Sequence, residues 1–271
     1  MTEIERNLPD YDKPPVIETL LGVRFSSLKP FTTRLFGLYR DYVKEQFPHF
    51  EIQDPIGRAT EEFGSPRVRK SGIEIMTSPN FRCWYIDPTE TKLIQLQADG
   101  FYHNWRKVKE SDSYFHYADL KLKFDEHWLH FRKFLKDQGA TEPEVEQCEI
   151  TYINHIDKGQ EWQSYGQLNR VISVWSGKYS GSFLGEPESV NLNVQYILPN
   201  QMGRLHVTMQ PAIRRADAKE ILQLTLTARG KPKTSRLEDL TSWFDLGHVW
   251  IVKGFTDFTA TSMHDTWRRK L

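Results

Sequence analysis

The chain has 271 residues with 36 basic and 36 acidic side chains, and this zero formal charge argues against a general polyanion binder, whose basic excess would be visible. Apolar residues make up 38% and aromatics 13%, so the core is expected to rest on Phe, Tyr and Trp, in one large domain or two halves sharing a core. Two cysteines, Cys83 and Cys148, exclude a disulfide framework and a cysteine-rich zinc site and suit a reducing cytoplasm.

The opening residues, 1–14, form a polar arm with no apolar segment of the signal-peptide kind, and Pro14-Pro15 stiffens its end. No run approaches the roughly 18 apolar residues of a membrane span, so a soluble cytoplasmic protein is expected. Val16 to Phe25 reads as a half-buried strand, with Ile17, Thr19, Leu21, Val23 and Phe25 on its apolar face. Pro30 is placed as an N-terminal helix residue, and Phe31, Leu35, Leu38 and Tyr42 make the stripe of a helix ending near Phe47-Pro48. Pro55 to Gly72, rich in Gly, Pro and charge, reads as a mobile loop. Short strands are expected at Ile73–Thr77, Phe81–Ile86, Leu93–Ala98 and Phe101–Arg106, separated by Pro-Asn, Asp-Pro and Asp-Gly turns.

A long helix follows from Tyr117 to Gln138, its stripe at Leu120, Phe124, Trp128, Phe131 and Leu135, and Gly139 stops it. Val145–Ile156 reads as a strand, and Tyr165, Leu168, Ile172 and Trp175 as a short helix ending at Gly177. After a loop at Ser180–Pro187, apolar residues from Val190 to Leu198 alternate with Asn and Gln as in a half-exposed strand. Further strands are expected at Leu205–Met209 and Ile221–Thr227, then a second long helix from Leu237 to Phe258, and an amphipathic piece from Ser262 to Lys270.

The second helix repeats the stripe of the first at Leu240, Phe244, His248, Ile251 and Phe255, and Asp119-Leu120 and Phe124-Asp125 recur as Asp239-Leu240 and Phe244-Asp245. The strand before each helix is read as sharing a core, Leu93-Ile94-Gln95-Leu96 against Ile221-Leu222-Gln223-Leu224. The expected architecture is therefore α+β: two pseudo-repeats, 15–140 and 141–271, each strand, helix, antiparallel strands and long helix, forming a curved, mainly antiparallel sheet backed by helices. Such a layout resembles the saddle-like TATA-box-binding fold and duplicated helix-grip ligand binders, an analogy that sets no function.

Several motifs are familiar in combination: Tyr11 with Pro14-Pro15-Val16-Ile17-Glu18, Gln95-Leu96-Gln97, Asn104-Trp105, the string Thr151-Tyr152-Ile153-Asn154-His155-Ile156, and His264 with Trp267. Together they resemble a sporadically distributed family of uncharacterised prokaryotic proteins. That resemblance implies no reaction or catalytic residues; the patchy distribution implies an accessory or defence-linked setting.

Candidate sites follow from strand and helix faces. On the strand at 145–156, Glu149, Thr151, Ile153 and His155 share one face and Ile150, Tyr152, Asn154 and Ile156 the other, so His155 with Glu149 or Thr151 would be an acid/base pair. Tyr102, Asn104 and Arg106 offer a ring, an amide and a cation for recognition, opposite a core face of Phe101, His103 and Trp105. His127 and His130, with His116 and Glu126 nearby, have a spacing that can chelate, but no third ligand is nameable and no metal or cofactor is inferred. His248 breaks the apolar stripe where Trp128 stands in the first helix and needs a hydrogen-bond partner, Asp245 being the candidate. The clusters Arg67, Arg69, Lys70 and Arg268, Arg269, Lys270 read as solvated surface. No nucleophile elbow, Walker loop or dinucleotide fingerprint is present.

The favoured expectation is a non-catalytic binding or regulatory protein that recognises a partner protein or small ligand on the concave or inter-half surface, in a phage-defence or toxin-neutralising setting. Tyr102, Asn104, Arg106, Tyr152, Asn154, His155 and His248 are its candidate contact residues. A nucleic-acid-associated saddle is the alternative, and a hydrolase or metal enzyme using His155 or His127 the second.

Overall fold

A computed structural model describes residues 8–26, 28, 33–57, 59–63, 81–175 and 183–270. The expected strand at Ile73–Thr77, the helix start at Pro30-Phe31, the cluster Arg67, Arg69, Lys70, most of the 55–72 loop and the segment around Gly177 lie outside the described residues. The elements run β1 (Asp10–Tyr11), β2 (Val16–Phe25), α1 (Thr33–Val43), β3 (His49–Gln53), β4 (Arg82–Ile86), β5 (Lys92–Gln97), β6 (Gly100–Arg106) and α2 (Tyr117–Asp137). The chain continues with β7 (Val145–Asp157), β8 (Leu192–Ile197), β9 (Arg204–Ile213), β10 (Glu220–Gly230), α3 (Leu237–Phe258), α4 (Thr261–Thr266) and β11 (Arg269–Lys270). The protein is α+β, with a mainly antiparallel sheet backed by helices. No helix among the described residues is long and apolar enough to cross a membrane.

Nine strands form one sheet in the order β3-β4-β5-β6-β2-β7-β10-β9-β8. β2 and β7 meet at its centre, antiparallel, with Leu20 opposite Thr151 and Leu21 opposite Ile150. α2 and α3 lie on one face, where the periodicity of their stripes puts large rings. Phe101 of β6 packs against Phe124, Trp128 and Phe131 of α2 at 5.1–6.1 Å between centroids. α3 approaches β7 closely because residue 247 is glycine; a Cβ there would come within 2.7 Å of Ile150 Cγ2. The two helices touch through Phe124 and Phe244, edge to face at 4.9 Å. Of the shared stripe, all positions are buried except His248, which is half-buried.

The opposite face of the sheet is also covered over β2 and β6, while Glu149, Thr151, Ile153 and His155 of β7 are half-buried there. From Thr19 to Phe25 every residue of β2 is buried, although alternation predicts one apolar and one wetter face. Segment 54–63 supplies part of that cover: Arg24 donates to the carbonyls of Ile56 and Gly57, Gln147 donates to Ala59 O, and Glu61 pairs with Arg204 and His206. Arg24, Gln95, Asn104 and Gln147 there are satisfied by fixed partners, which permits their burial. Tyr102 lies flat on this face in space left by Gly22, where a Cβ would sit 1.9 Å from its Cδ1.

Three local expectations change. β3 is an edge strand of mostly exposed residues, so no apolar alternation announces it; its pairing with β4 and the Phe50–Tyr85 ring contact at 5.5 Å hold it. The helix expected from Tyr165 is one 3-10 stretch, Tyr165–Arg170, after which fully buried Val171 and Ile172 turn to bond the end of α3. The strand that leads into α2 is β6 rather than β5, so the likeness of Leu93–Leu96 to Ile221–Leu224 joins strands that occupy different places.

The polar arm is tied down where it is described. β1 pairs with β11, and Lys270 bridges to Asp10 at 2.7 Å and Asp12 at 3.3 Å. Tyr11 is buried against Phe255 and Trp267, its hydroxyl 2.9 Å from Thr256 Oγ1. The terminal basic cluster is thereby partly engaged in holding the arm.

Candidate functional site

The sheet divides the seven candidate residues between its two faces. Tyr102, Asn104, Arg106 and His155 lie opposite the helices, whereas Tyr152 and Asn154 share the helix face with His248 of α3.

On the first face the candidates belong to a tightly bonded network. Asn104 Nδ2 donates to Glu18 Oε1 at 2.5 Å, and its Oδ1 accepts from Gln95 Nε2 at 2.8 Å. Gln95 Oε1 in turn accepts from Arg82 at 2.6 Å and from the Trp84 indole at 3.1 Å. Burial raises the Glu18 carboxyl above its usual range. Arg106 donates to Glu90 O at 2.9 Å and lies 5.5 Å from the Trp84 ring. His155 does not meet the acid/base partners expected for it. Positions four and six apart on one strand are separated by roughly 13 and 20 Å. Glu149 is instead bound by Arg229 at 2.6 Å, and Thr151 by Thr227 at 2.9 Å.

The chelating reading of α2 fares similarly. His127 is buried against the ring of Phe47 and lies 3.4 Å, nitrogen to nitrogen, from His103, while His130 is exposed. Burial lowers the His127 pKa to about 4 and holds that of His103 well below its ordinary value. Among the described residues no group of three His, Cys, Asp or Glu could hold a metal ion.

On the helix face, a cavity of about 760 Å³ opens between the arm, the start of α2 and the middle of α3. Its size falls in the range of small-molecule sites. Tyr11, Val16, Tyr117, Tyr152, Ile251 and Phe255 supply most of its aromatic and aliphatic walls, and Asp10, His116, Lys121, Asn154 and His248 are its other polar lining residues. The Tyr117 and His248 rings are stacked, 3.8 Å apart and 7° from parallel. Tyr114 donates to the Tyr152 hydroxyl at 3.2 Å, and that hydroxyl lies 3.1 Å from His248 Nδ1. Asp245, the expected partner of His248, is taken by Tyr117 at 2.7 Å and Lys121 at 2.6 Å. Asn154 Nδ2 donates to Leu224 O at 3.0 Å, but its buried Oδ1 has no partner.

No family model matches the chain, and no curated protein matches it. The chemistry of the cavity therefore has to be read from its own groups.

Burial lowers the His248 pKa to about 3 and raises that of Tyr152 well above its ordinary value. Both stay neutral across the physiological range. Neither is matched to proton transfer near pH 7, where an acid or base catalyst needs its pKa. They are equipped to hold hydrogen bonds. Sequence periodicity singles out Tyr152, Asn154 and His248 but misses Tyr11, Tyr114 and Lys121, whose convergence depends on the arm folding back over α3. The faint signal for it is Tyr11 within the motif set that carries the family resemblance.

Proposed function

We propose that the protein is a non-catalytic binding protein whose site is the cavity between the N-terminal arm, α2 and α3, and whose ligand is a small organic molecule. The carrying observation is a cavity of ligand size with largely aromatic and aliphatic walls, in which the Tyr117 and His248 rings are stacked and the Tyr152 hydroxyl lies beside His248 Nδ1. The neutral states of Tyr152 and His248 favour binding over acid/base chemistry.

In this reading the chain is built from two related halves, and the cavity lies beside the line where they join. The support is the strand order, in which β2 and β7 form the centre and each pairs outward with the strand that precedes a long helix, β6 or β10. The corresponding stripe residues Phe124 and Phe244 also meet each other at the helix crossing. Binding at that junction would let an occupant bias how the halves pack, the behaviour of a regulator. A regulatory or neutralising role in a defence system is the setting we propose from the family resemblance.

Native mass spectrometry of the purified protein tests the site. The expected result is uptake of a small molecule by the wild type and its loss in Val252→Trp, which places an indole into the cavity from a half-buried wall position. Equal uptake by the two proteins, or none by either from a broad fragment mixture, contradicts the assignment.

A further inference from the structure

We infer that β8 is an interaction surface whose partner is β8 of a second copy of this chain, so that two molecules join their sheets edge to edge about a two-fold axis. The pairing does not depend on the cavity.

The open edge is set by how β8 sits on β9. Among the described residues β8 ends the sheet, and its register with β9 runs unbroken from Leu192 opposite Met209 to Ile197 opposite Arg204. Just past that run, Leu198 N–H donates to Gly203 O at 2.9 Å. Backbone groups alternate along an antiparallel pair, so Leu192, Val194 and Tyr196 bond to β9, while Asn193 and Ile197 turn their N–H and C=O outward. An edge of this kind is a template for another strand.

Chains that stay monomeric guard such edges with charge, proline, a bulge or a very short strand. β8 has none of these. It is six residues long and has no register shift. From Ser189 to Gly203 the chain carries no charged residue, although 27% of all its residues are charged. The neighbouring edge positions are guarded. β9 continues past β8 to Ile213, and the same alternation turns Pro211 to the open side, where it has no N–H to offer. At the far end of the sheet β3 carries Glu51, with Asp54 just beyond it, both exposed.

These differences name the occupant. A two-fold axis normal to the sheet lays β8 antiparallel to its copy. Leu192, Val194 and Tyr196 of both molecules then share the helix side, and Asn193 and Ile197 of both share the other. No register sets like charges opposite each other, because the strand has none. Apolar surface is at hand for the seam, Tyr196 being 41% and Ile197 59% exposed. The pairing also closes on itself. The outer edges of the joined sheet are two copies of β3, whose carboxylates oppose the addition of further strands.

Sedimentation equilibrium of the full-length protein, together with hydrogen–deuterium exchange of the peptide spanning 191–198, tests the inference. The wild type is expected to be a dimer that dissociates on dilution, with the amides of Asn193 and Ile197 exchanging faster as it does. Ile197→Lys puts a charge on the edge, and Asn193→Pro removes an outward N–H that β9 does not use. Each should weaken the dimer at least about tenfold, whereas Ile52→Lys on β3 should leave it intact. A monomeric wild type overturns the inference, whether β8 is then bare, covered by another part of its own chain or able to take up an added strand peptide. A dimer unchanged by Ile197→Lys and Asn193→Pro, or lost in Ile52→Lys instead, overturns it as well. The wild-type exchange needs no substitution, so equal exchange of 191–198 in concentrated and dilute protein counts against the pairing even where a variant loses its fold.

Discussion

Asp125 shows how closely placed groups at the helix crossing set their own energies. Its Oδ1 is buried without a partner, and burial, with the nearby Asp245 carboxylate adding to it against Lys121, raises its pKa to about 6. A carboxyl whose folded pKa exceeds its unfolded value contributes stability that is fully present below about pH 4 and lost as pH rises through about 6. At pH 8 the ionised group is a liability. Asp125→Asn is expected to stabilise the protein by about 1–3 kcal/mol at pH 8, and the gain should disappear near pH 4. Urea unfolding at the two pH values measures it; equal effects at both would contradict the assignment. The same reasoning separates the histidines. His103, His127 and His248 are held neutral by burial, so each draws stability from the range above about 6.5 and loses it as pH falls towards the lowered value.

Among the elements, the arm is the piece that turns a helix–sheet crevice into a cavity. β1 is two residues long, and pairing of that length with β11 contributes little alone; burial of Tyr11 against Phe255, His264 and Trp267 does the fixing. Tyr11→Ala is expected to cost about 2–4 kcal/mol and to weaken ligand binding beyond that loss, because one wall of the site goes with it. Thermal melts with and without a fragment taken up by the wild type separate the effects: a variant that melts lower yet keeps the wild-type ligand shift would show that the arm is no part of the site. The elements also differ in how far they are legible in the sequence. β2 and α3 begin and end where alternation and the stripe place them, since each buries a continuous face whose period is written locally. β3 carries no such face, and the 3-10 stretch at Tyr165 stops short because Val171 and Ile172 serve α3 instead of their own helix. The site is legible in part. Tyr152, Asn154 and His248 stand out as polar breaks in apolar periodicities, whereas Tyr102, Asn104 and Arg106 stand out equally and are absorbed into a bonded network on the other face. Periodicity assigns a face to a residue; which face is left open depends on what packs against it, and segment 54–63 covers one while the arm frames the other.

For the whole molecule, the two faces of one sheet have been put to different ends. The face opposite the helices carries polar pairs such as Glu61 with Arg204 and His206, and the chain from Arg82 through Gln95 and Asn104 to Glu18. Such networks cost dearly when broken and therefore fix a single arrangement. The helix face is built from interlocked rings except beside β1, where the packing opens into the cavity. If the chain is two related halves, this opening flanks their junction, and filling it would couple ligand to the way α2 and α3 cross. The most direct measurement is a crystal structure of the protein soaked with a small aromatic probe. The probe is expected between the arm and α3, against the rings of Tyr117, His248 and Phe255. Electron density for the probe on the opposite face, or a cavity holding water alone at saturating probe, would contradict it.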